Sequence, residues 1–317
     1  MRILQITDSH VQLREQPHAG AMAEGPVTAN TTLCPTTGLE ACLRAASSFG
    51  VDLVVLTGDN VHEEDEQSYT MLLQHLRHGL PPHLASSALL IPGNHDRRKA
   101  QTKVFHPVVS AGLPEPGPDM AVFATIMPSG WLLIGLDTLQ EGTGHGVMGN
   151  DQLRWLEKIL GMDRPAELPP PPLLAASAEW PPPTLLFTHH PPLPLGAVGT
   201  SPGFTAQAGQ MFDEADRLAL EALLRRSPQV HAVFCGHVHA EFEYKIAERI
   251  PVIGTPSSWI QHSITAQEPA DRVAYEDLPP GMRLISCDGD TATTATVSSK
   301  VIRVDDAGSI QRNIARL

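Results

Sequence analysis

The chain opens Arg2-Ile3-Leu4-Gln5-Ile6-Thr7-Asp8-Ser9-His10, a short apolar run that ends on an acid and an imidazole two residues apart. The same construction recurs four times. Leu53–Leu56 leads into Thr57-Gly58-Asp59-Asn60, Ala88–Ile91 into Gly93-Asn94-His95-Asp96, Leu185–Phe187 into Thr188-His189-His190, and Ala232–Phe234 into Gly236-His237-Val238-His239. Apolar runs of this length, bounded by turn residues, predict buried strands. Segments with helical spacing stand between several of them: Leu39–Phe49, Tyr69–Leu80, Gln152–Leu160 and Glu214–Arg226. Strands alternating with helices predict a layered α/β protein. In such a sheet, groups just past the carboxyl ends of the strands converge on one crevice, so the five polar turns are expected to surround one ligand.

The donor types narrow the ligand. Asp, Asn and His together supply oxygen and imidazole nitrogen, a set that suits borderline transition-metal cations and implies little thiolate chemistry. A carboxylate can donate through both oxygens, which makes Asp59 the natural bridge between two cations about 3.5–4 Å apart. In Gly93–Asp96, one residue can bind metal while its neighbour addresses a substrate. His237 and His239 sit at i and i+2, so in an extended turn both point to one side, with Gly236 freeing the backbone to bend toward them. Only one of His189 and His190 can face the same cation in an extended segment. His189 is assigned as the ligand, and His190 as an outer hydrogen-bonding partner or a brace for the proline loop that follows.

The rest of the sequence sets limits. At 317 residues, one catalytic body is expected. The block 1–265 is expected to carry the chemistry, and 266–317 to complete or extend a sheet rather than fold independently. Glu241–Ile246, Pro251–Gly254, Met282–Ser286 and Val301–Val304 are read as the later strands. No apolar run approaches the ~20 residues needed to cross a bilayer, and the opening residues lack the pattern of a secretory signal, so a cytoplasmic protein without membrane contact is expected. Cys34, Cys42, Cys235 and Cys287 show no C-x-x-C pairing and read as reduced thiols. The net charge of −13 argues against a nucleic-acid polymer as partner. Arg97-Arg98-Lys99 is too short to track a polymer backbone, though Arg97 could contact one substrate phosphate. The stretches Val11 to Thr37 and Pro165 to Pro183 read as a long loop beside the first motif and a stiff proline-rich excursion.

These motifs, D-x-H, G-D, G-N-H-D, H and G-H-x-H in order from Asp8 to His239, resemble the calcineurin-like metallophosphoesterase superfamily. The resemblance implies a four-layer α/β/β/α sandwich with two facing mixed β-sheets and a centre of two divalent or trivalent ions (Fe, Mn, Zn, Co or Ni). Carried onto this sequence, Asp8, His10 and His239 would hold one metal and Asn94, His189 and His237 the other. Asp59 would bridge both, and His95 would meet the substrate. From its place beside His95, Asp96 is expected to orient that imidazole.

Softer features resemble the class III cyclic-nucleotide phosphodiesterases and their glycerophosphodiesterase relatives. They are Leu136-Asp137-Thr138, Gly146 followed by Gln152–Leu156, His189–Pro194, and Thr255–Ser258 ahead of Gln261. The implied activity is hydrolysis of a small phosphate ester, of the 3',5'-cyclic nucleotide type, by a homodimer-forming enzyme. A broad phosphomonoesterase or glycerophosphodiesterase is the alternative within enzymes. A metal-binding scaffold without turnover is the alternative from another class.

Overall fold

The computed structural model describes residues 1–13, 34–62, 65–161, 180–194, 197, 211–264, 275–305 and 308–311. Most of the expected loop at 11–37 and of the proline-rich excursion at 165–183 lies outside these residues.

The first sheet is built on three parallel strands, β1 (Arg2–Ile6), β2 (Leu53–Thr57) and β3 (Leu89–Ile91). It continues antiparallel through β13 (Gly281–Asp288), β14 (Thr296–Val304) and β15 (Ile310–Gln311), in the order β15-β14-β13-β1-β2-β3. The second sheet has the order β4-β5-β6-β7-β8-β10-β9, formed by β4 (Val108–Val109), β5 (Phe123–Ile126), β6 (Leu132–Gly135), β7 (Thr184–Phe187), β8 (Val230–Cys235), β9 (Phe242–Ile246) and β10 (Ile250–Gly254). Parallel pairing joins β6, β7, β8 and β10, while β5 and β9 run antiparallel to their neighbours, so both sheets are mixed. A two-stranded ribbon, β11 (Gln261–His262) and β12 (Tyr275–Glu276), stands apart.

Alternation along the strands generates the layers. Ile3, Val55 and Ile91 face Phe187, Phe234 and Leu185 across the space between the sheets, while Leu4, Ile6, Val54 and Leu56 face outward. That outer face is covered by α1 (Pro35–Ala46), α2 (Glu66–Gly79) and α3 (Pro82–Ser87), through Leu39, Leu43, Leu72, Leu76 and Leu84. The outer face of the second sheet is covered by α5 (Gly149–Gly161) and α6 (Glu214–Arg225) through Trp155, Leu156, Ile159, Leu220 and Leu224. Each such side chain contributes about 1.5–3 kcal/mol when fully buried. Trp155 is therefore core, its indole N–H donating to Pro114 O at 2.8 Å. The result is α/β/β/α, with α4 (Arg98–Val104) joining the end of the first sheet to the start of the second. No helix among the described residues is long and apolar enough to cross a membrane.

Six of the described strands went unanticipated: β4, β5, β6, β11, β12 and β15. β5 and β6 are four residues each, and their hairpin turns at Pro128-Ser129-Gly130, too little length for period to declare them.

Candidate metal centre

All five parallel strands named at the outset, β1, β2, β3, β7 and β8, deliver their polar turns to one edge of the sandwich. The turns interlock: Asp8 N donates to Gly58 O at 3.0 Å, His10 N to Asp59 O at 2.9 Å, and Gly236 N to His189 O at 3.1 Å. Seven non-glycine residues among those described have φ in the left-handed region, and five are Asp8, His10, Asp59, His237 and His239. Such a conformation costs roughly 1–3 kcal/mol at each non-glycine position. Concentration of the strain on these side chains marks a place where aim outweighs backbone comfort. Gly58 holds the left-handed conformation at φ +90°, and a Cβ there would lie 2.4 Å from His189 Nδ1. Gly236 is required by space instead, since its Cβ would meet Thr7 Oγ1 at 2.0 Å and Asp8 Oδ2 at 2.8 Å.

The donor atoms fall into two groups. In the first, His239 Nε2 lies 3.3 Å from Asp8 Oδ1 and 3.3 Å from His10 Nε2, which is 3.6 Å from Asp59 Oδ2. In the second, His189 Nε2 lies 3.4 Å from Asp59 Oδ1 and 3.1 Å from Asn94 Oδ1, and His237 Nδ1 is 3.0 Å from that same amide oxygen. Asp59 turns one oxygen to each group.

Hydrogen bonds on the far side fix which nitrogens carry protons. His239 Nδ1 faces Ile260 O at 3.0 Å and His189 Nδ1 faces Thr57 O at 2.9 Å, and a carbonyl only accepts. In the neutral rings the Nε2 atoms are therefore lone pairs, directed at carboxylate and amide oxygens. Lone pairs set against oxygen lone pairs at 3.1–3.4 Å are reconciled by a cation between them. Ligands at about 2.0–2.2 Å from a common ion stand at comparable separations from one another. The residues present thus fit two metal ions.

Electrostatics agree. Burial drives His10 and His237 downward, His237 to about 3 with His189 adding to the effect, so both are neutral and ready to ligate. Burial acts on His189 in the same sense, but the charge of Asp59 overrides it and lifts the imidazole to about 9. From protein charges alone, a proton takes the place suited to a cation. Asp59 answers in kind: burial would raise it, but His189, His95 and His10 hold it well below the usual carboxylate range.

The expected site residues separate into those that face this edge and those that do not. His95 stands beside the first group, its ring 4.8 Å from that of His10, and its N–H donates to Asp59 Oδ1 at 2.8 Å. His190 is buried behind His237, with ring centroids 4.5 Å apart, and its Nδ1 meets the Thr138 hydroxyl at 2.8 Å. Arg97 turns toward Glu141, 3.6 Å away. Asp96 differs from expectation, because its carboxylate does not address His95. Oδ2 accepts from Gly93 N at 2.8 Å and from Asn60 N and Nδ2 at 3.1 Å, and Oδ1 from Tyr69 OH at 2.7 Å and Val61 N at 3.3 Å. Adjacent side chains in the turn diverge, so Asp96 ties the loops after β2 and β3 to α2 instead. Burial, with the charge of Asp59, raises it to about 6.

Two neighbours escaped the sequence reading. His62 stacks on His95 with centroids 5.1 Å apart, and His262 lies parallel to His239 at 4.4 Å. Ser257 Oγ donates to Asp8 O at 2.8 Å, giving Thr255–Ser258 a structural role behind the centre. Gln152, which exchanges hydrogen bonds with the backbone of Asp137 at 2.6 and 2.8 Å, ties α5 to the end of β6.

The family model for calcineurin-like phosphoesterases matches residues 1–241. The chain belongs to that family. The 3',5'-cyclic adenosine monophosphate phosphodiesterase CpdA of Escherichia coli (strain K12) is 29% identical over 299 residues, 94% of this chain and 89% of its own. A probable cyclic nucleotide phosphodiesterase of Synechococcus sp. (strain WH7803) is 26% identical over 308 residues, covering 95% and 96%. Among solved structures, a dimetal phosphatase from Danio rerio superposes with a TM-score of 0.53 over 94% of this chain and 98% of its own, at 14% identity, which is a likeness of fold. The family match and a group of side chains that could hold a metal ion, Asp8, His10, Asp59 and His239, thus coincide at the strand ends of this chain.

Proposed function

We propose that this calcineurin-like phosphoesterase is a two-metal phosphodiesterase acting on small diesters, with 3',5'-cyclic nucleotides of the cyclic AMP type as its substrate class. The observation that carries the reading is the division of Asp59 between two sets of lone pairs. The names and near-complete coverage of the Escherichia coli and Synechococcus relatives support the substrate class. The net charge of −13 favours a small ester over a polymer.

In this account Asp8, His10 and His239 would hold one ion, Asn94, His189 and His237 the other, and Asp59 would serve both. When bound, the pair supplies Lewis acidity that neutralises phosphoryl charge and makes hydroxide available near neutral pH. The metals are of the Fe, Mn, Zn, Co or Ni class, given the mixed N and O donors. His95 provides the mobile proton: its imidazole donates to a phosphoryl oxygen or to the departing alkoxide, while its backbone N–H keeps Asp59 in register. Thr57 O and Ile260 O fix the tautomers of His189 and His239 so that neither ring can rotate away from the centre.

Turnover of cyclic AMP, bis(p-nitrophenyl) phosphate, p-nitrophenyl phosphate and glycerophosphodiesters on one metal-loaded sample tests the reading. Cyclic AMP should give the highest kcat/KM. A preference for the monoester or for glycerophosphodiesters would replace the substrate class. Two bound ions with no turnover on any of the four would remove the enzyme reading altogether.

A further inference from the structure

A histidine ligand almost always donates its outer N–H to a fixed acceptor, and losing that acceptor typically costs 10–100-fold in metal affinity. For His189 and His239 the acceptor is a backbone carbonyl, which no substitution of a side chain can remove. His10 is different. Its Nε2 faces His239 and Asp59, which leaves Nδ1 as the outer nitrogen, and Nδ1 lies 3.4 Å from Nδ1 of His62. The imidazole of His62 also lies nearly parallel to that of His95, 5.1 Å away and inclined by 19°. Its backbone is anchored by a bridge between Val61 and Val11 and by donation from His62 N to Val11 O at 3.0 Å, so the loops after β1 and β2 present the ring together.

We propose that His62 is a positioning residue with two separable duties: it accepts the outer N–H of His10, and it braces the ring of His95 by stacking. Acceptance at Nδ1 places the proton of neutral His62 on Nε2 and holds His10 in the tautomer whose Nε2 lone pair is directed at the first donor group. Stacking limits the rotation of His95 about its side-chain bonds, keeping its proton aimed at the ester. The inference rests on the two-metal reading above.

Two variants divide the duties. His62→Phe keeps a flat ring beside His95 but offers no acceptor; His62→Asn sets its amide oxygen near the position of Nδ1 but has no ring. Mn²⁺ binding by titration calorimetry on the chelator-treated full chain, with thermal melting to verify folding, reads the first duty. Steady-state hydrolysis of bis(p-nitrophenyl) phosphate at saturating Mn²⁺ reads the second. His62→Phe should bind one of two Mn²⁺ ions about 10–100-fold more weakly, and His62→Asn should recover that affinity. His62→Asn should lower kcat with little change in KM, and by more than His62→Phe does once saturated. Unaltered Mn²⁺ affinity in His62→Phe, or unaltered kcat in His62→Asn, would overturn the corresponding half. A wild-type chain that binds fewer than two Mn²⁺ ions would instead overturn the two-metal reading, so the two failures are distinct.

Discussion

Asp59→Asn should empty one metal position and spare the other, and the structure says which. Asp59 Oδ1 accepts from His95 N at 2.8 Å, whereas Oδ2 faces His10 Nε2 at 3.6 Å. An asparagine has one oxygen to distribute. If its NH2 took the Oδ1 position, two donors would confront each other in a buried site, leaving the His95 amide unpaired at about 1–3 kcal/mol. By the Boltzmann relation this disfavours that rotamer about 5- to 150-fold, so the oxygen stays toward His95 and His189, and the NH2 turns to His10. The second group then keeps its Asp59 oxygen, while the first loses a ligand and gains a donor. Metal analysis after gel filtration should find close to one equivalent in the variant against two in the wild type. Crystallographic anomalous signal should survive beside Asn94, His189 and His237. Loss of kcat/KM should exceed about 100-fold, as expected when a charge-stabilising group of the reacting centre is removed. Two equivalents at wild-type affinity would refute the reasoning, as would loss of the ion beside Asn94 with retention of the one beside Asp8.

Other consequences follow from burial and hydrogen bonding. In chelated protein, His10, His190 and His237 have pKa values lowered chiefly by burial, so from about pH 6 to pH 5 the unfolded chain takes up protons that the folded chain refuses. Asp96, raised to about 6, takes one up in the folded state and offsets part of this, while His189 at about 9 is protonated in both states. His231, also lowered by burial, adds to the uptake, so stability should fall by roughly 2–4 kcal/mol per pH unit of acidification, measured by urea unfolding in EDTA; a flat or rising profile would contradict it. Tyr69→Phe removes the donor to Asp96 and the acceptor for Arg97 N at 3.0 Å, which should lower stability by about 1–3 kcal/mol with metal stoichiometry unchanged; no change on chemical denaturation would show that this knot is slack. Burial pushes the Cys42 and Cys287 thiols up to about 12 and Cys235 higher still, so at pH 8 a disulfide reagent should label half-buried Cys34 first, and fast labelling of Cys42 in native protein would count against the packing of α1.

The strand-ending turns were legible because each joins an unambiguous apolar run to residues with few structural uses in that place. Asp8, His10, Asp59, Asn94, His189, His237 and His239 could be named from order and spacing, and the structure brings their donor atoms together at one edge. Asp96 was misread because a carboxylate beside a histidine invites pairing, while the divergence of adjacent side chains in a turn appears only in three dimensions. His62 was invisible for another reason. It heads the charged stretch His62-Glu63-Glu64-Asp65, which reads as solvated surface, and only the cross-loop pairing of Val61 with Val11 carries it to His10. His262 depends likewise on the ribbon of β11 and β12, whose two-residue strands leave no period to detect. Short elements and loop-to-loop pairings are tertiary facts, and sequence period is blind to them.

The central claim is that one carboxylate joins two ions, and the direct measurement is anomalous scattering from crystals of the Mn²⁺-loaded chain. The account predicts two peaks, one among Asp8, His10 and His239 and one among Asn94, His189 and His237, about 3.5–4 Å apart, with Asp59 Oδ2 coordinated to the first and Oδ1 to the second. A single peak at full Mn²⁺ loading, or two peaks with both Asp59 oxygens on one of them, would contradict it.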